Sequence, residues 1–92
     1  MQNLRFITLK IMIKSGLIHQ IELEEQDNGR YAVKATGKHI ESFDSLETGE
    51  YLMGEKNRGH RTYSSVDRAI KSMRRSGYKG DFKVTTYKQL AA

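Results

Sequence analysis

Hydrophobic residues follow a clear helical spacing in the second half of the chain, over residues 64–76. Four apolar residues recur at the i, i+3, i+4 and i+7 positions that line one side of a helix: Val66, Ala69, Ile70 and Met73. Ser64 stands three residues before Asp67, the spacing of a capping box, and Gly77 is a favoured residue just beyond a helix end. The pattern predicts an amphipathic helix over about 64–76 that packs through its apolar stripe.

Near the N-terminus the pattern instead alternates between two faces. Residues 4–13, LRFITLKIMI, are rich in β-branched and aromatic types, which favour strands. One alternating set is uniformly apolar: Ile7, Leu9, Ile11 and Ile13. The pattern predicts a strand that turns this set toward the core.

Residues 17–25 and 30–36 predict a β-hairpin around Asp27-Asn28-Gly29. A two-residue loop would mix apolar and polar residues on each face. A three-residue loop pairs Leu23 with Val33 and Ile21 with Ala35, which keeps one face apolar. The sequence therefore predicts a type I turn with Gly29 in the left-handed conformation.

Further strands are expected over 50–55, 60–63 and 81–87, the last with Phe82 and Val84 inward, and 88–92 is predicted to be a flexible tail. The predicted fold is α+β. It comprises an antiparallel sheet of four to six strands, in the order β-β-β-…-β-α-β, with one helix packed on one face. The length of 92 residues suits a single small domain.

Charge is unevenly distributed along the chain. The formal net charge is +5, yet residues 1–50 hold six basic and eight acidic residues, whereas residues 51–92 hold ten basic and three acidic ones. Eight bases fall between residues 56 and 79: Lys56, Arg58, Arg61, Arg68, Lys71, Arg74, Arg75 and Lys79. Such asymmetry is typical of a surface that faces a polyanion.

Part of this charge has a structural explanation, because Lys71, Arg74 and Arg75 would suit the C-terminal end of the helix dipole. The dipole does not explain Lys56, Arg58 and Arg61, which come just before the helix. We therefore predict a non-enzymatic nucleic-acid-binding protein, accessory or regulatory, that contacts the phosphates of DNA or RNA through these eight residues.

Two alternatives use the same charges. The chain could be an interaction module or inhibitor that binds an acidic protein surface. It could also be a small metal-free ribonuclease-type toxin, with His60 as general acid or base beside phosphate-binding cations.

Other functional classes lack their motifs. The chain has no Cys, no zinc-ligand spacing and no glycine-rich phosphate loop, so neither a metal nor a cofactor is predicted. No apolar run approaches the length of a membrane span, and the lack of Cys fits a cytoplasmic location.

Overall fold

The computed structural model describes residues 4–37, 49–54 and 59–87. The elements in chain order are α1 (Phe6–Lys14), β1 (Ile18–Glu25), β2 (Tyr31–Gly37), β3 (Glu50–Tyr51), β4 (Thr62–Tyr63), α2 (Val66–Arg75) and β5 (Phe82–Thr85). The sheet has the strand order β3-β2-β1-β5, and β4 pairs with β2 beside β3. The predicted α+β class is confirmed, with two differences: α1 is a second helix, and β5 runs parallel to β1 in an otherwise antiparallel sheet.

The N-terminal strand prediction is wrong, because residues 6–14 form helix α1. Leu9 and Met12 are buried, whereas Ile7 and Ile11 are 68% and 60% exposed. Burial thus follows the helical period and not the alternation of a strand. Strand propensity is weak enough to be overridden by tertiary packing, and this helix adds its buried side chains to the core of the sheet.

The predicted hairpin is confirmed in its register and in the left-handed conformation of Gly29. Leu23 pairs with Val33 and Ile21 with Ala35. The Gly29 amide donates to the Gln26 carbonyl at 3.0 Å, and Gly29 has φ of 81°. A glycine reaches this left-handed conformation without the steric cost of a Cβ, so the loop closes while one strand face stays apolar.

Helix α2 forms where the apolar stripe predicts it, with its cap shifted by one residue. Ser65, not Ser64, is the N-cap, and its hydroxyl accepts from the Arg68 amide at 3.2 Å. At the other end Gly77 has φ of 100°, its amide donates to Arg74, and the Tyr78 amide donates to Met73. These two bonds form a Schellman motif, which ends the helix where Gly77 was expected to end it.

The core lies between the two helices and one face of the sheet. Its fully buried side chains include Leu9, Ile21, Leu23 and Met73. Phe82, which was predicted to point inward, packs against this core, whereas Val84, predicted to do the same, is 44% exposed. Val84 pairs with the buried Leu23, but β5 is the last strand in the order, so neighbouring side chains cover it less completely.

The structure bears on the remaining sequence predictions only in part. Of the strand expected over 50–55, the described residues 50–54 form β3, followed by isolated bridges at Leu52 and Met53. The predicted tail over 88–92 lies outside the described residues. Neither described helix is long and apolar enough to cross a bilayer.

Candidate functional site

Three neighbouring clefts run along the junction of α1, β4 and α2, and all three include Arg61. The first, of about 580 Å³, is lined by Arg30, Arg61, Thr62, Tyr63, Ser64 and Arg68. The second, of about 350 Å³, is lined by Arg61, Tyr63, Arg68, Lys71, Ser72 and Arg75. The third, of about 260 Å³, is lined by Phe6, Lys10, Arg61, Ser72, Arg75 and Ser76.

These clefts together form one surface, called here the basic groove. It carries six cationic side chains: Lys10, Arg30, Arg61, Arg68, Lys71 and Arg75. None of the residues that line the three clefts is acidic, and within the described part of the chain none of the six cations forms an ion pair. Like charges gathered without counter-charge repel one another, so the groove favours a bound anion.

Arg61 is held in the middle of the groove by side chains from three elements. Its Nε donates to the Tyr63 Oη at 3.1 Å, and its guanidinium carbon lies 4.5 Å from the centre of the Phe6 ring. Tyr63 Oη in turn shares a 2.7 Å hydrogen bond with Ser72 Oγ on α2. Stacking on a ring and a hydrogen bond through Nε together fix the direction of the guanidinium.

Arg30 reaches the same groove from the end of the hairpin. The register Ala32 to Thr62 and Tyr31 to Tyr63 lays the start of β2 beside β4. Arg30 Nε donates to Thr62 Oγ1 at 2.7 Å, and Arg30 Nη2 donates to the Thr62 carbonyl at 3.1 Å. This side chain is therefore tied to the strand that follows Arg61.

The other cations of the groove are more weakly constrained. Arg68, Lys71 and Arg75 follow the i, i+3, i+7 spacing on α2 and are all exposed. Lys10 is also exposed, and its Nζ lies 4.7 Å from the centre of the Phe6 ring. Within the described part of the chain, the charged groups of these four residues form no hydrogen bond, so they can move to follow a ligand.

The structure separates the eight predicted contact residues into three groups. Four of them, Arg61, Arg68, Lys71 and Arg75, come together in the groove. Arg74 and Lys79 line none of its clefts. Lys56 and Arg58 lie outside the described residues, so their part in the site stays a prediction.

Arg74 has a different structural setting from its neighbour Arg75. Its Nη1 donates to the carbonyls of Tyr78 at 3.0 Å and Gly80 at 2.9 Å. Its guanidinium carbon also lies 4.9 Å from the centre of the Phe82 ring. Arg74 thus ties the end of α2 to the start of β5.

Sequence reasoning missed Lys10 and Arg30. Lys10 was placed on a predicted strand, whereas its position on α1 brings it beside Arg61 and Arg75. Arg30 is separated from Thr62 by 32 residues, and only the pairing of β2 with β4 brings them together. A helical reading of residues 6–14 would have indicated Lys10, but no local sequence signal indicates the partner of Arg30.

His60, the residue on which the ribonuclease alternative depended, lies outside these clefts. Its ring stacks on Tyr51 with centroids 4.3 Å apart and planes inclined by 8°. It is not among the residues that line the groove, so the geometry gives no support to His60 acting on a ligand bound there.

Tyr51 joins a second polar cluster on the sheet. Its hydroxyl donates to Glu24 Oε1 at 2.7 Å, and Lys34 Nζ lies 3.8 Å from Glu24 Oε2. Burial, followed by the hydrogen bond to Glu24, raises the pKa of Tyr51 to about 12. In the described ranges no three His, Cys, Asp or Glu residues are grouped so that they could hold a metal ion.

Comparison of the chain with known protein families, curated proteins and solved structures finds no match. The chemistry of the groove is therefore what indicates a function.

Proposed function

We propose that this protein is a non-enzymatic nucleic-acid-binding protein whose basic groove contacts the phosphates of DNA or RNA. The observation that carries the proposal is the convergence of six cations, from α1, the hairpin, the residue before β4 and α2, on clefts that contain no acidic residue. Arginine and lysine are the main partners of nucleic-acid phosphates. A continuous row of them fits a ligand whose negative charges repeat along a chain.

The groove sets the size of the expected salt effect. If all six cations engage phosphates of a single strand, the logarithm of the affinity should fall with the logarithm of salt concentration with a slope of about −4. Raising salt from about 50 to about 200 mM should then weaken binding roughly 250-fold. A groove that uses only some of its cations gives a proportionally smaller slope.

The test is fluorescence anisotropy with labelled single-stranded DNA, single-stranded RNA and duplex DNA across that range of salt. The double variant Arg68→Glu with Arg75→Glu should weaken binding strongly and reduce the magnitude of the salt slope by about 1.4. A matched control is Lys14→Glu with Lys83→Glu, which changes the net charge equally at two exposed residues that line none of the clefts. Equal weakening by both double variants would mean that total charge, not the groove, controls binding.

The alternative of an acidic protein partner predicts a different result in the same assay. Carboxylates also pair with arginine forks, so an acidic surface could occupy the same groove. Unlabelled polyglutamate should compete weakly if phosphates are the ligand. No binding to any nucleic acid at low salt, together with tight binding of polyglutamate, would reject the proposal in favour of the acidic partner.

A further inference from the structure

We propose that the first cleft, between Arg30 and Arg61, is a preorganised seat, that is, a binding site for an internal phosphodiester. Thr62 and Tyr63 are the residues that position these two arginines. This inference rests on the proposed function, since it says where in the basic groove the strongest phosphate contact lies. Arg30 and Arg61 then differ from the other four cations of the groove, although all six carry the same charge.

Two of the three arginines of this cleft, Arg30 and Arg61, share a feature that the third, Arg68, lacks. Each donates its Nε hydrogen to a hydroxyl on β4: Arg30 to Thr62 at 2.7 Å and Arg61 to Tyr63 at 3.1 Å. The two hydroxyl groups belong to consecutive residues of β4, and both arginines line the first cleft. One short strand therefore fixes the two guanidinium groups that border this cleft.

Fixing the Nε leaves the terminal nitrogens for a ligand. Among the described residues, Arg61 Nη1 and Nη2 have no hydrogen-bond partner, and Arg30 uses only Nη2, toward the Thr62 carbonyl. Terminal nitrogens of a guanidinium can donate two parallel hydrogen bonds to one phosphate. The exposed hydroxyl of Ser64 lines the same cleft and adds a neutral donor of the kind that contacts phosphate oxygens.

Preorganisation makes these contacts stronger than those of the mobile cations. Ordering a long side chain on binding costs about 0.5–1.5 kcal/mol. Arg30 and Arg61 have already lost much of this freedom on folding, whereas Arg68 and Arg75 would lose it when the ligand binds. A lysine cannot be held in the same way, because its stem carries no hydrogen-bond donor before its terminal ammonium.

The test applies one conservative change, Arg→Lys, at matched positions. Arg30→Lys and Arg61→Lys keep the charge but remove the Nε bond and the fork. Each should weaken binding about tenfold, as expected for the loss of one charge-assisted bidentate contact, and should leave the salt slope unchanged. Arg68→Lys and Arg75→Lys should change the affinity less than about twofold, because a mobile cation is replaced by another.

Two further variants test the positioning residues without altering any charge. Thr62→Val removes the hydroxyl that holds Arg30, and Tyr63→Phe removes the one that holds Arg61 while keeping the ring. Each should weaken binding several-fold at constant salt slope. Combining Thr62→Val with Arg30→Lys, or Tyr63→Phe with Arg61→Lys, should weaken binding no further than the lysine substitution alone. Thermal melts of each variant verify that the protein remains folded. Additive losses would show that these hydroxyls act elsewhere.

The probe is a single-stranded oligonucleotide with a 5′-hydroxyl end, so that all its phosphates are internal diesters. Equal losses for all four lysine variants would overturn the seat while leaving nucleic-acid binding by the groove intact. Tight binding only to a 5′-phosphorylated strand would also overturn it, because the ligand would then be a terminal phosphate. If the unaltered protein binds no nucleic acid at low salt, the proposed function itself fails.

Discussion

A strand and a helix over the N-terminal residues would bury different side chains, and mutations can distinguish the two. A strand over 4–13 would bury Leu9 and Ile11 alike, whereas α1 buries Leu9 completely and leaves Ile11 60% exposed. Truncating each side chain to alanine should therefore have very different effects on stability.

The structure sets the expected magnitudes. Leu9→Ala removes three buried carbons, about 0.8 kcal/mol each in transfer free energy, and leaves a cavity that raises the total cost to about 2–5 kcal/mol. Ile11→Ala removes surface that is mostly in water already. Alanine also has the higher helix propensity, so this change should lie within about 0.5 kcal/mol of neutral.

The measurement is urea or thermal unfolding followed by circular dichroism. In a domain of this size, each kcal/mol shifts the midpoint temperature by about 4–8 °C, so Leu9→Ala should lower it by roughly 10 °C or more. Leu9→Ala could consume most of the stability of a small domain, so Leu9→Met serves as a milder variant with an expected cost below about 1.5 kcal/mol. Comparable destabilisation by Leu9→Ala and Ile11→Ala would refute the helical arrangement and restore the strand.

Three further predictions concern local features of the fold. Ser65→Ala should cost about 1 kcal/mol through loss of the N-cap, whereas Ser64→Ala should be nearly neutral; urea unfolding of both variants distinguishes the two caps. Gly77→Ala should cost about 1–2 kcal/mol in the same experiment, because φ of 100° strains any residue with a Cβ. Tyrosinate absorbance should reveal a group with pKa of about 12 that disappears in Tyr51→Phe. Because folding raises the pKa of Tyr51 from 10.0, its stabilising effect should be complete below pH 10.0 and should vanish as the pH rises through 12.

Sequence reasoning succeeded where local chemistry and burial agree. The hairpin was predictable in register because Leu23, Val33, Ile21 and Ala35 can share one face only with a three-residue loop. Helix α2 was predictable because its apolar stripe and Gly77 both specify it. The N-cap was missed by one residue because Ser64 and Ser65 are chemically equivalent in sequence, and only the chain path selects between them.

The same reasoning failed where propensity and packing disagree. The residues of α1 have the composition of a strand, yet Phe6, Leu9, Met12 and Ile13 also lie on one side of a helix. The sequence contains both the alternation of a strand and the spacing of a helix, and the tertiary contacts decide between them. The direction of β5 was likewise not a local property, because α2 separates it from β4 and it pairs with the distant β1.

The basic groove shows why charge counting along the chain identifies a site only in part. Arg74 and Arg75 are adjacent in sequence, but Arg75 lines the groove whereas Arg74 binds the carbonyls of Tyr78 and Gly80. Arg30 belongs to the half of the chain with net negative charge, yet pairing of β2 with β4 places it beside Arg61. The charge run from 56 to 79 is thus an incomplete description of the surface. What distinguishes a candidate phosphate contact here is the partner that fixes each guanidinium, and that partner is determined by the sheet.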